Sequence, residues 1–134
     1  MVVGIDSVRE ADGQWRGRSY TGDPSKTRAE GLRTLDWIVQ AQELGAGEIV
    51  LNCMDSDGVR RGYDIDQLKA ARALCHVPLV ASGGAGAPEH FVSAFQDADV
   101  DAALAASVFH SGAIAIPDLK RTLADAGIAV RPAA

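Results

Sequence analysis

The stretch Val77-Pro78-Leu79-Val80-Ala81-Ser82-Gly83-Gly84-Ala85-Gly86-Ala87-Pro88 decides the fold. Val77 to Ser82 is an apolar run too short for a helix, with Pro78 at its start, where a strand tolerates proline. Gly83 to Gly86 then turns the chain. Pro88 suits the first turn of a helix. The stretch therefore reads as strand, glycine turn, helix.

The same order recurs on both sides. Val2-Val3-Gly4-Ile5-Asp6 is a first strand ending in a carboxylate. A polar stretch from Ser7 to about Lys26 follows, where Asp12-Gly13 signals a turn and Trp15 to Tyr20 suggests a small hairpin. A helix is predicted over Arg28 to Leu44, with Leu35, Ile38, Val39 and Leu44 at helical spacing and Gly45 as its stop. Trp37 falls on the same stripe and reads as core. Glu48 to Cys53 is the second strand, and Asp64 caps the helix after its loop. That helix carries Ile65, Leu68, Ala71, Ala73 and Leu74. The helix from Pro88 turns Phe91, Val92, Ala94 and Phe95 inward. Ala102 to Ala106 is the fourth strand. A last helix spans Pro117 to Ala126, and the tail fades into Pro132-Ala133-Ala134.

Strands separated by helices pair in parallel, because each helix is a crossover. Two architectures fit four such units. One is a small open sheet. The other is part of a closed eight-unit βα barrel, which normally needs about 250 residues. The chain has 134, so length alone favours the open sheet.

Composition narrows the function classes. The chain is 47% hydrophobic and 23% charged, as one globular domain requires. No apolar run approaches the ~20 residues that span a membrane. The start, Met1-Val2-Val3-Gly4, lacks the basic region of a signal peptide. Thirteen Lys and Arg against 18 Asp and Glu give a net charge of −5, which speaks against nucleic-acid binding by bulk charge. Two cysteines, Cys53 and Cys75, are too few for a disulfide framework, so a cytoplasmic location is expected.

The candidate chemistry sits where strands end, because parallel sheets bind ligands at their carboxyl edge. Glycines at Gly83 and Gly84 let a ligand approach the backbone, and free amides at a helix start attract anions. Ala106 and Ser107 end the next strand. Together these segments suggest a phosphate pocket; a glycine turn serving only tight packing is the competing explanation. Asp6 could act as general base or acid, or cap its own loop; the residues alone leave these equal. Asp55-Ser56-Asp57-Gly58 lacks the later ligands of a calcium loop and reads as a turn whose aspartate meets substrate. Three histidines, His76, His90 and His110, lack metal-ligand spacing, and His90 reads as solvent-facing. Cys53 reads as a strand residue. Glu48, at the opposite strand end, is either a surface charge or part of a charged layer closing a barrel bottom.

Four blocks strongly resemble the cyclase subunit of imidazole glycerol phosphate synthase, an enzyme of histidine biosynthesis. They are Gly45-Ala46-Gly47-Glu48-Ile49-Val50-Leu51-Asn52, Asp57-Gly58-Val59-Arg60-Arg61-Gly62-Tyr63-Asp64, Ala81-Ser82-Gly83-Gly84-Ala85-Gly86 and Ala103-Leu104-Ala105-Ala106-Ser107-Val108-Phe109-His110. The resemblance covers essentially the whole chain and only half of the family's protein. It implies an α/β fold that is half of a (βα)8 TIM barrel. That half has four βα units with parallel strands, in one domain over residues 1–134, matching strands five to eight.

The resemblance also implies roles. Asp6 matches the catalytic aspartate of the fifth strand, cast as general base. Asn52 and Asp57 match residues lining the site. Ser82, Gly83, Gly84, Ala106 and Ser107 match one of two phosphate grips. Glu48 matches the charged gate where ammonia enters from the glutaminase subunit. The family reaction adds ammonia to a bisphosphorylated ribulosyl formimino nucleotide and gives imidazole glycerol phosphate and an aminoimidazole carboxamide ribotide. It uses no metal and no cofactor. The family's first-strand aspartate and its other phosphate grip have no counterpart here, so little activity is expected from the chain alone.

Half a barrel exposes two sheet edges and one face. A homodimer or higher homo-oligomer is therefore expected, or a separate N-terminal half. Membrane and nucleic acid are not expected partners. A non-catalytic phosphate-binding half-barrel, or an engineered self-assembling fragment, is the alternative reading.

Overall fold

The computed structural model describes residues 1–132; Ala133 and Ala134, the end of the expected tail, lie outside it. The chain forms one six-stranded α/β sheet. Its strands are β1 (Val2–Arg9), β2 (Trp15–Ser19), β3 (Arg28–Arg33), β4 (Glu48–Cys53), β5 (Leu79–Ser82) and β6 (Ala102–Leu104), in the order β3-β2-β1-β4-β5-β6. β1, β4, β5 and β6 run parallel, whereas β2 and β3 pair antiparallel as a hairpin against β1. The helices are α1 (Thr34–Glu43), α2 (Ile65–Arg72), α3 (Pro88–Ala98), the short α4 (Ser107–His110) and α5 (Ile116–Asp125). None of them is long and apolar enough to cross a membrane.

The pleat decides which face meets the helices. Along β4 burial alternates: Ile49, Leu51 and Cys53 are buried, while Glu48, Val50 and Asn52 are half-buried. The buried set joins Ile5, Leu79 and Ala81 in one core with Ile38 of α1, Leu68 of α2, Phe91 of α3 and Leu119 of α5. Each fully buried Leu or Ile there contributes roughly 1.5–3 kcal/mol. The other set keeps register across the parallel strands. Gly4, Val50, Val80 and Ala102 form one row, and Asp6, Asn52, Ser82 and Leu104 the next. None of these residues belongs to the helix-side core.

The four expected parallel strands are present, and the hairpin adds two more. β1 runs on to Arg9, because Asp6 to Arg9 find partners on β2. Residues Arg28–Arg33, expected as the start of a helix, are instead strand β3. All six are exposed there, and β3 is held by pairing with β2 rather than by burial. α1 therefore starts at Thr34. Of the residues read as its inner face, Ile38 is buried, but Val39 and Leu44 are 38% and 73% exposed, and Thr34 and Ala41 are buried in their place. Leu74, placed on the inner face of the second helix, lies beyond α2 and is 37% exposed.

Other local signals hold. Asp64 caps α2 by accepting the Gln67 amide at 3.0 Å. Pro88 opens α3. At the amino end of the sheet, the Asp101 carboxylate accepts from Arg72 Nη1 and from the Leu79 amide, both at 2.8 Å. This ties the α2 terminus to β5 and the start of β6.

Candidate functional site

The parallel pairing places Asp6, Asn52 and Ser82 side by side near its carboxyl edge, one residue per strand on the same face. Register makes them neighbours, and polar side chains at that spacing bond one another. Asn52 Nδ2 donates to Asp6 Oδ1 at 2.8 Å, and Ser82 Oγ donates to Asn52 Oδ1 at 3.1 Å. Thr21, brought back by the hairpin, donates its hydroxyl to the other Asp6 oxygen. Asp6 is thus oriented on both sides by side chains. Among the described residues it caps no local amide. The order Ser82, Asn52, Asp6 is directional: the serine hydroxyl fixes the amide, and the amide fixes the carboxylate.

Two cavities flank this row. One, of about 250 Å³, is lined by Asn52, Asp57, Ser82, Gly83, Gly84 and Ser107 among others. Asp57 from the loop after β4, and Ala106 and Ser107 from the start of α4, therefore meet the glycine turn. The other, of about 320 Å³, is lined by Asp6, Arg18, Glu30, Leu32 and Trp37 among others. The Asp6–Asn52 bond connects the two. Trp37 packs against the core and also borders the second cavity.

The glycine turn serves packing and leaves donors free at once. A Cβ on Gly83 would lie 2.6 Å from the Cys53 carbonyl oxygen, and one on Gly84 only 2.0 Å from that of Gly62. Both residues have positive φ, +90° and +113°. The Gly62 amide donates to the Gly84 carbonyl at 2.9 Å, so the loop after β4 rests directly on the turn. The turn's own amides at Gly83, Gly84 and Ala85 take no hydrogen-bond acceptor among the described residues. The next two amides are occupied: His90 Nδ1 accepts from Gly86 and Ala87, at 3.0 and 3.2 Å. His90 therefore does not serve as the solvent-facing residue its helix position suggests; its ring secures the turn. The Ser107 amide, at the start of α4, is also without an acceptor among the described residues. Free amides from two segments thus line one wall of the cavity, donors of the kind that attract anions.

Three functional neighbours escape sequence reading. Thr21 lies 15 residues from Asp6 and is exposed as a partner only by the hairpin. Tyr63 donates its hydroxyl to the Leu104 carbonyl at 2.9 Å and so braces β6 beside the cavity. Burial pushes the Tyr63 phenol up, which keeps it a donor. Arg60 Nε donates to Ser107 Oγ at 3.3 Å. Its only sequence signal is a pair of adjacent arginines, Arg60 and Arg61, in a polar loop.

The remaining candidates lie elsewhere. Glu48 stands opposite Val2 at the far end of β4, away from Asp6. Burial, with Asp64 and Asp55 nearby, pushes the Cys53 thiol up, so it is a core residue and a poor nucleophile. Among the described residues no cluster of three or more His, Cys, Asp or Glu is placed to hold a metal ion.

Comparison with known proteins places this geometry. A family model described as "Histidine biosynthesis protein" matches residues 1–115. Over 131 residues the chain is 76% identical to imidazole glycerol phosphate synthase subunit HisF of Stenotrophomonas maltophilia (strain R551-3). That stretch is 98% of this chain and 51% of that protein. The HisF subunits of Xylella fastidiosa (strain M12) and Xanthomonas oryzae pv. oryzae (strain MAFF 311018) are 74% and 72% identical, with the same coverage. The chain spans about half the length of the curated relatives it matches. With its mostly parallel sheet and a family match over residues 1–115, the chain belongs to the histidine biosynthesis protein family.

Proposed function

We propose that this chain is the C-terminal half-barrel of the imidazole glycerol phosphate synthase cyclase, strands five to eight, in one domain. It carries half of that active site. The observation that supports this most is the hydrogen-bonded row Ser82–Asn52–Asp6, which runs from an amide-lined pocket to an oriented carboxylate.

The chemistry follows from that row. One substrate phosphate sits against the amides of Gly83, Gly84 and Ser107, beside Ala106. The reacting part of the nucleotide lies along the sheet toward Asp6. The Asp6 carboxylate takes the proton released as ammonia adds and the ring closes, and returns it at bond cleavage. Asn52 holds Asp6 in place, and Asp57 borders the bound substrate. Glu48, at the opposite sheet end, belongs to the gate through which ammonia arrives from the glutaminase subunit. The reaction proceeds in the cytoplasm and needs no metal or cofactor.

The decisive assay mixes the chain with a separately produced N-terminal half, ammonium and the bisphosphorylated ribulosyl formimino nucleotide. Turnover is expected in the mixture and little or none from the chain alone. A stable, stoichiometric complex without turnover removes the cyclase reading. That result would leave a phosphate-binding scaffold, which the completeness of the pocket within one chain favours.

The chain alone associates with itself. β1 pairs with β2 only from Asp6 onward, so Val2–Ile5 have a strand neighbour on the β4 side only. β6 is the far edge of the sheet. Val2 and Leu104, on the face away from the helices, are 58% and 48% exposed. Unpaired edges and an open apolar face favour strand pairing with a second copy. Light scattering at micromolar concentration is expected to give a dimer or larger species; a monodisperse monomer overturns this.

A further inference from the structure

The glycine pocket has a charge problem. Its lining includes the Asp57 carboxylate and no Lys or Arg. Backbone amides supply only partial positive charge, so a phosphate dianion beside Asp57 needs a cation to offset the repulsion. Arg60 is the cation at hand. It stands just outside the lining and reaches across to Ser107 Oγ. Among the described residues it forms no ion pair, whereas Arg16, Arg18, Arg33, Arg72 and Arg121 each hold a carboxylate. Its two terminal nitrogens carry no other hydrogen bond among the described residues.

The backbone is arranged to keep it there. Arg60 has φ +58°, a left-handed conformation unfavourable for a residue with a side chain. Its carbonyl is pressed against Gly86, where a Cβ would sit only 2.1 Å away. Two residues on, the Gly62 amide is bound to the Gly84 carbonyl. The loop is thus held against the glycine turn at the strained residue itself and again two residues later, and that residue's side chain returns over Ser107. Strain held in place by surrounding contacts marks a position with a task.

We propose that Arg60 is the counter-ion of the phosphate pocket and a determinant of its preference for dianionic phosphate esters. This rests on the phosphate reading of the pocket and names the residue that balances its charge. On binding, the guanidinium keeps Ser107 at Nε and offers its free nitrogens to phosphate oxygens, the bidentate geometry arginine suits.

The test titrates inorganic phosphate at pH 8 into the wild-type chain, Arg60→Lys, Arg60→Gln and Arg60→Gly, following the amide resonances of Gly83, Gly84 and Ser107. Arg60→Gly is the key control, because glycine adopts φ +58° freely and preserves the loop without the charge. Arg60→Gln and Arg60→Gly are expected to weaken binding about tenfold and to flatten its dependence on salt between about 0.05 and 0.5 M. Arg60→Lys should retain most of the affinity and the salt dependence. A purely structural Arg60 predicts wild-type binding in Arg60→Gly, and that result overturns the proposal while sparing the pocket. Equal losses at all salt concentrations overturn it too. If the wild-type chain shows no phosphate-induced shift at these amides, the pocket reading fails and Arg60's role with it.

Discussion

Replacing Gly84 with alanine is expected to destabilise the fold by about 3–4 kcal/mol, a large share of the ~5–15 kcal/mol that holds a domain together. Two costs add. A residue with a Cβ at φ +113° costs roughly 1–2 kcal/mol. The Cβ also lands 2.0 Å from the Gly62 oxygen and 2.8 Å from its carbon, both backbone atoms that cannot rotate aside. Forcing the loop away costs a further ~1–3 kcal/mol and breaks the Gly62–Gly84 hydrogen bond. The control is Gly112→Ala. Gly112 also has positive φ, +71°, but open space around it, so it should lose only about 1 kcal/mol. Urea unfolding of the two variants reads the difference directly. Equal midpoints would mean that the loop gives way freely, and the clamp on Arg60 would then be weak.

That clamp also shows where sequence reading stops. Gly83 and Gly84 are legible because few residues other than glycine end a strand in a left-handed turn before a helix. The parallel strands are legible because short apolar runs alternate with helical periodicity. Asp6 and Ser82 follow as strand-end residues, since strand length sets where each one falls, whereas Asn52 enters only through the family resemblance. Thr21 has no such signal: its contact with Asp6 depends on a hairpin whose second strand, Arg28–Arg33, has an Arg, Ala, Glu, Leu composition that also suits a helix. No apolar alternation marks that segment, because its six residues are all exposed and only backbone pairing fixes it. Val39 and Leu44 mislead in the opposite sense, since they fit the helical period but project away from the core. His90 and Arg60 read as solvated polar residues until the turn and the loop are folded against each other. Local pattern specifies the scaffold, and long-range closure specifies which polar groups meet.

Asp6→Asn, in the complex with an N-terminal half, is expected to lower kcat by roughly 10²–10⁴-fold, the range for removing a general base. The substitution is nearly silent structurally. Asn52 Nδ2 can donate to the carbonyl oxygen of the substituted side chain as it does to Asp6 Oδ1. The Thr21 hydroxyl, which donates to the other Asp6 oxygen, can rotate and accept from the new amide. Volume, orientation and hydrogen bonds are retained, and the lost quantity is the ability to accept a proton. KM should therefore change little, because Gly83, Gly84 and Ser107 line the neighbouring cavity, whose lining does not include Asp6. Asn52→Ala provides the contrast. It leaves the carboxylate ionised but unsteered on one side, removes the link to Ser82, and should cost less in kcat than losing the base itself. Steady-state kinetics on both variants separates the roles. Unchanged kcat in Asp6→Asn would remove Asp6 from proton transfer. A change confined to KM would make it a binding residue. Only a fall in kcat with an intact KM and an unchanged unfolding midpoint fits a carboxylate whose hydrogen-bonded row serves to hold one proton acceptor at a fixed place.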